Sequence, residues 1–183
     1  MIGLLIFCGV IFVIVVFVIG AYNKGIKLRN YVKEAFSTMD VYMKKRWDLI
    51  PNLVESVKGY AGHEKGLLEK ITQLRSSNYS TMTDAQKLET NSELTNVLSR
   101  LFAVAENYPD LKANQNFMQL SKELSSIEAD IANSRKYYNG TVRELNTFLE
   151  VFPTNIIGSI FGMQKEKLFE IAENERQNVK VSF

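Results

Sequence analysis

WDLIPNLVESVKGYAGHE, residues 47 to 64, holds the features on which the fold turns. Trp47, Ile50, Leu53, Val54 and Val57 recur at steps of three and four, which places them on one face of a helix. Pro51 interrupts the stretch near its start, and Gly59 and Gly62 near its end. A proline inside a helix deletes one backbone donor and crowds the carbonyl four residues earlier, here that of Trp47, at a cost of about 3 kcal/mol. The apolar phase nevertheless carries on across Pro51. It extends outward through Val32, Ala35, Phe36, Met39 and Met43 on one side and Leu67, Leu68, Ile71 and Leu74 on the other. The favoured expectation is a single bent rod with its joint at Pro51. The alternative is a second helix capped by Asp48, with Pro51 in its first turn. Gly59, Gly62 and Gly66 make the distal part of the rod costly as helix.

Upstream of the rod the chain is written for a different solvent. The first charged side chain is Lys24, and Ile2 to Ala21 form an uncharged run rich in Ile, Val, Leu and Phe. About 20 such residues at 1.5 Å each span a hydrocarbon core of roughly 30 Å. A cleavable signal peptide would carry a basic leading region, a shorter apolar centre and a small-x-small site, and these are missing. Cys8 falls too early for a lipoprotein signal and reads as a small apolar residue in lipid. It is the only cysteine, so no intrachain disulfide and no Cys-based zinc site is available. Lys24, Lys27 and Arg29 follow the span and favour a cytoplasmic body by the positive-inside rule. A net charge of +2 gives no basis for nucleic-acid binding.

Downstream, SSNYSTMT (76 to 83) is a turn, and Thr83 caps a second helix whose face is Leu88, Leu94, Val97, Leu98, Leu101, Phe102 and Ala105. Pro109 and Asp110 end it, and a third helix runs from about Leu111 to Phe152. No strand pattern competes, so the class is all-α: a transmembrane helix continuing into an elongated antiparallel bundle of three long helices plus a short C-terminal helical segment. The expected division is an anchor at 1–22, the bundle at 23–155, and an apolar knuckle and tail at 156–183. Because the second helix is much shorter than the first, the third is expected to overshoot the tip of the rod. Leu145, Phe148 and Leu149 would then be uncovered unless Ile156, Ile157, Ile160 and Phe161 of the knuckle, or another subunit, pack on them. A membrane surface is a further destination for the knuckle, although it lacks the usual basic face.

Chemistry is sparse. GHEKG (62 to 66) lacks the second histidine that a zinc-protease motif needs four residues on, and His63 is the only histidine in the chain. No metal, cofactor or catalytic set is expected. Lys44, Lys45 and Arg46 read as a solvated basic patch balanced by Asp40 and Asp48.

The block from Tyr22 to Arg75, the block AVAENYPDLKANQNFMQLSKELSSIEADIANSRKYYNGTVRELNTFLEVFPTNIIG (103 to 158) and the closing VKVSF resemble the bacterial LemA family. Within the first block, DLIPNLVESVKGYAGHE carries most of the specificity. The resemblance implies a single-pass bacterial membrane protein with an elongated helical body and no established enzymatic activity. Two roles follow as expectations. One is a self-assembling scaffold, a homo-oligomer held through Leu145, Phe148, Leu149, Ile156, Ile157, Ile160 and Phe161. The other is an adaptor that offers Asn52, Glu55, Ser56, Gly59 and His63 to another membrane protein.

Overall fold

The computed structural model describes residues 1–60 and 65–169. Among these the chain is all-α, as expected, with α1 (Ile2–Lys58), α2 (Lys65–Leu74), α3 (Asp84–Ala105), a one-turn α4 (Pro109–Lys112), α5 (Gln115–Glu150) and α6 (Thr154–Ile160). It divides into two compact units, one of Met1–Thr38 with Ser134–Phe169 and one of Met39–Asn133.

In the second unit Pro51 lies inside a continuous α1, so of the two readings it joins one helix and does not start another. Asp48 accepts a hydrogen bond from Lys44 (2.6 Å) and caps nothing. The rod ends earlier than the apolar stripe suggested. α1 stops at Lys58, and α2 runs back along it: the Arg75 guanidinium lies 5.5 Å from the centre of the Trp47 ring, and Leu68 shares a groove with Lys58. Each glycine inside a helix costs about 1 kcal/mol relative to alanine, which weakens the 59–66 stretch as helix. The α2 stripe, with Ile71 fully buried, faces the stripe of α1 itself.

α3 begins where Thr83 was expected to cap it, with a reciprocal capping box to Gln86. Lys87 reaches Asp40 and Asn91 reaches Arg46, so α3 runs parallel to α1. α5 then returns beside both, with Phe102 near Phe117 and Asn114 bonded to Tyr60. The second unit is therefore an up-down-up-down bundle of α1, α2, α3 and the first part of α5.

In the first unit α1 and α5 pack antiparallel. Phe36 lies 6.0 Å from Tyr138, and Gly25 sits against Phe148. This corrects the expected overshoot. Within this unit α5 runs antiparallel to α1 and ends beside Gly25, where the expected overshoot had it running parallel. Leu145 and Phe148 are buried. Residues 163–169 also return along α5, held by two asparagines. Asn146 exchanges a pair of hydrogen bonds with the backbone of Glu166 (2.9 and 3.0 Å), and Asn139 does the same with Phe169 (2.9 and 2.8 Å). Tyr138 Oη donates to the Lys167 carbonyl (3.0 Å), and the Arg135 guanidinium lies over the buried Phe169 ring.

The apolar run at the start of α1 is long enough to cross a membrane, and none of residues 2–20 is buried. Packing begins at its end, where Ala21, Gly25, Leu28 and Val32 turn inward.

Candidate functional site

At the centre of the second unit lies a charge that the sequence reading placed in water. Arg46 is fully buried, although its neighbours Lys44 and Lys45 remain near the surface. Met39 and Leu53 stand seven residues before and after it on the buried stripe of α1, so Arg46 enters the bundle by helical phase. Its guanidinium then ties three helices together. Nη1 donates to Thr95 Oγ1 of α3 (2.7 Å) and to Glu128 of α5, while Nη2 donates to the carbonyl (2.7 Å) and the side-chain oxygen of Asn91 of α3. Desolvation pushes the Arg46 pKa below its ordinary value, and the Glu128 carboxylate opposes that shift. A planar five-donor fork suits this task, which a lysine ammonium does not duplicate. Both terminal nitrogens are satisfied, whereas Nε of Arg46 is buried without a hydrogen-bond partner among the described residues, and we read the cluster as a clamp that fixes the bundle.

A second polar cluster surrounds Tyr79, on the 3-10 turn Tyr79–Thr81 between α2 and α3. Its hydroxyl donates to Asp40 Oδ1 (2.6 Å), and Lys87 donates to Asp40 Oδ2 (2.7 Å). The Trp47 ring packs 5.4 Å away, and Lys87 lies 5.2 Å from the centre of the Tyr79 ring. Asp40 thus serves this turn instead of balancing Lys44. Burial, reinforced by the hydrogen bond to Asp40, pushes the phenol well above its ordinary value. The consequence for stability has a definite sign. Above the unfolded-state pKa of about 10 the unfolded chain releases a proton that the folded chain keeps, so stability is constant below that pH and falls as pH rises past it. Unfolding of the full-length protein followed by circular dichroism between pH 8 and pH 11 should show this decline. Tyr79→Phe should lack its share of it, and an identical slope in the variant would remove Tyr79 as its source.

The residues singled out from the sequence are distributed as follows. Asn52 and Glu55 are exposed on α1, Gly59 is exposed just past its end, and Ser56 is half-buried with its hydroxyl donating to the Asn52 carbonyl (2.8 Å). His63 lies outside the described residues. Glu55 pairs with Lys58, and both border the seam between α1 and α2. There a groove of about 490 Å³ opens, lined by Val54, Lys58, Leu68, Glu69, Thr72 and Gln73. A smaller one of about 200 Å³ includes Pro51, Ile50, Glu55 and Ile71. The residues named for self-assembly part company. Leu145, Phe148 and Ile157 are buried and Leu149 half-buried, whereas Ile156, Ile160 and Phe161 stay exposed. No group of three or more His, Cys, Asp or Glu side chains converges among the described residues.

Comparison with known proteins gives a consistent family assignment. Residues 35–183 match the LemA family. The chain is similar to Protein LemA of Metamycoplasma hominis, 28% identical over 165 residues that cover 90% of this chain and 75% of that one. It also resembles Magnetosome protein MamQ 2 of Paramagnetospirillum magneticum, at 21% identity over 175 residues. Magnetosome protein MamQ of Magnetospirillum gryphiswaldense is 20% identical over 174 residues. The matches to these two magnetosome proteins cover 81% of this chain and 64% of theirs.

Proposed function

The chain belongs to the LemA family, and we propose that it is a non-catalytic, single-pass protein of the bacterial cell membrane whose helical body acts as an adaptor for another membrane protein. The observation that carries this reading is the open groove along α1 and α2, bordered by Glu69 and by Lys58, the ion-pair partner of Glu55, and floored by Val54 and Leu68. It combines apolar anchor points with a charged rim, the arrangement that orders a protein segment without chemistry. The apolar run Ile2 to Ala21 supplies the bilayer span. Lys24, Lys27 and Arg29, all exposed beyond it, favour a cytoplasmic body. The partner fitted to such a groove is a segment with one or two apolar side chains flanked by charges.

Self-assembly is the other reading. With Leu145 and Phe148 inside the first unit, a homo-oligomer has only the knuckle's exposed residues left from the surface first assigned to it. One experiment separates the two. The full-length protein is captured from its native membranes after reversible cross-linking, both as wild type and with Asn52 and Glu55 replaced by alanine and Leu68 by aspartate. The adaptor reading expects at least a tenfold loss of the co-captured protein, with particle mass and helicity unchanged. Retention of the partner sinks the groove. A fall in the particle's own mass to a smaller multiple of the chain favours the scaffold.

A further inference from the structure

From Val151 to Gln164 the chain has no charged side chain, and the segment is closed at its base by an ion pair between Glu150 and Lys165 (2.7 Å). Within it α6 buries Ile157 and Gly158, the latter against Leu149. The other side is bare. Phe152 is 79% exposed, Ile160 69%, Phe161 49% and Ile156 48%. Ile156 and Ile160 are four apart in α6 and share its outer face. Scattered apolar residues on a protein surface need no explanation, but a contiguous group does.

The place of this group in the first unit supplies one. The Phe161 ring lies 4.6 Å from that of Tyr22, and Met163 lies against Gly25. Tyr22 directly follows Ala21, the last residue of the apolar run. At 1.5 Å per residue, Tyr22 to Gly25 lie within about 6 Å of the end of that run. Interfacial segments bury their apolar faces about 5–10 Å into the boundary between headgroups and acyl chains. The knuckle is therefore held at the level where α1 leaves the bilayer, against Tyr22, a residue of the kind that gathers there. Lys24, Lys27, Lys165 and Lys167, all exposed, flank it and match anionic headgroups.

We propose that the α6 knuckle is a second membrane contact, with Phe152, Ile156, Ile160 and Phe161 inserted shallowly into the leaflet from which α1 emerges. This rests on the reading of α1 as a bilayer span. The basic face that a free amphipathic helix would require is unnecessary, because α1 already holds the knuckle at the surface and the flanking lysines supply the charge.

Site-directed spin labelling of the full-length protein in phosphatidylcholine–phosphatidylglycerol vesicles tests the idea. The native Cys8, in the span, is one label site. Three others are made in a Cys8→Ser background: Phe152→Cys, Ile160→Cys and Lys136→Cys. The expected result is a ratio of oxygen to nickel-chelate accessibility severalfold higher at 152 and 160 than at 136, and lower than at Cys8. A ratio at 152 and 160 equal to that at 136, with Cys8 still lipid-like, overturns the insertion while leaving the span intact. Spin–spin broadening at 160 that disappears on dilution with unlabelled protein also overturns it, in favour of contact with a second copy. A water-like Cys8 removes the span, and the proposed contact with it.

Discussion

Arg46→Ala should lower the stability of the second unit by about 3–5 kcal/mol, the range seen when one partner of a buried ion pair is removed. The argument rests on what the arginine leaves behind. Glu128 retains some access to solvent, which eases its loss, but the Asn91 amide is buried and loses its partner on α1. Unsatisfied buried polar groups cost about 1–3 kcal/mol each, and the deleted side chain leaves a cavity at a fully buried position. For a chain of this length the loss corresponds to a fall in melting temperature of about 10 °C. Arg46→Lys should recover little, because one ammonium cannot reach Thr95, Asn91 and Glu128 together. Arg46→Met should recover more, because it fills the volume. Thermal unfolding of the full-length protein in detergent measures all three, and a loss below about 1 kcal/mol for Arg46→Ala would show that the clamp contributes no more than an exposed pair.

Leu145→Asp should disrupt the first unit, not an assembly. Leu145 is 1% exposed on the face of α5 that meets α1. Truncating a buried leucine to alanine costs about 2–5 kcal/mol, and a carboxylate in the same place adds a desolvation penalty. Limited proteolysis and hydrogen exchange should show α5 beyond Ser134 and α6 losing protection together. Ile160→Asp, at a position 69% exposed, should leave both unchanged. Full protection in Leu145→Asp with a reduced particle mass would return this residue to a contact between copies.

How far the sequence could be read depended on what each local pattern excludes. A capping box has one structural meaning, and Thr83 with Gln86 marked the start of α3 correctly. The stripe from Val32 to Leu74 had two meanings. An antiparallel pair of helices that share a core shows the same steps of three and four as a longer single helix, so the turn from α1 into α2 was hidden. The glycines at 59, 62 and 66 were its only trace. In the first unit the antiparallel run of α5 along α1, which the expected three-helix order did not contain, buries Leu145 and Phe148. Arg46 was obscured by company: beside Lys44 and Lys45 it looked like surface, although Met39 and Leu53 put it in the buried phase. Asn91, three residues before Leu94 and seven before Leu98, gave a matching signal on α3. The paired bonds of Asn139 and Asn146 to the returning segment left no trace, since single asparagines on a helix surface carry no pattern.

The unbroken passage of α1 from its apolar run into its packed stretch has a rotational consequence. Ala21, Gly25, Leu28 and Val32 fix the azimuth of the helix where it packs. At 3.6 residues per turn that bearing carries down the same helix, so Phe17, Ile14 and Val10 lie on the side below α5 and α6. On the proposed reading of Ile2 to Ala21 as a bilayer span, that span is keyed rather than free to spin. A neighbour within the bilayer meets a defined flank of it, and one residue inserted between Ala21 and Gly25 would turn that flank by about 100°.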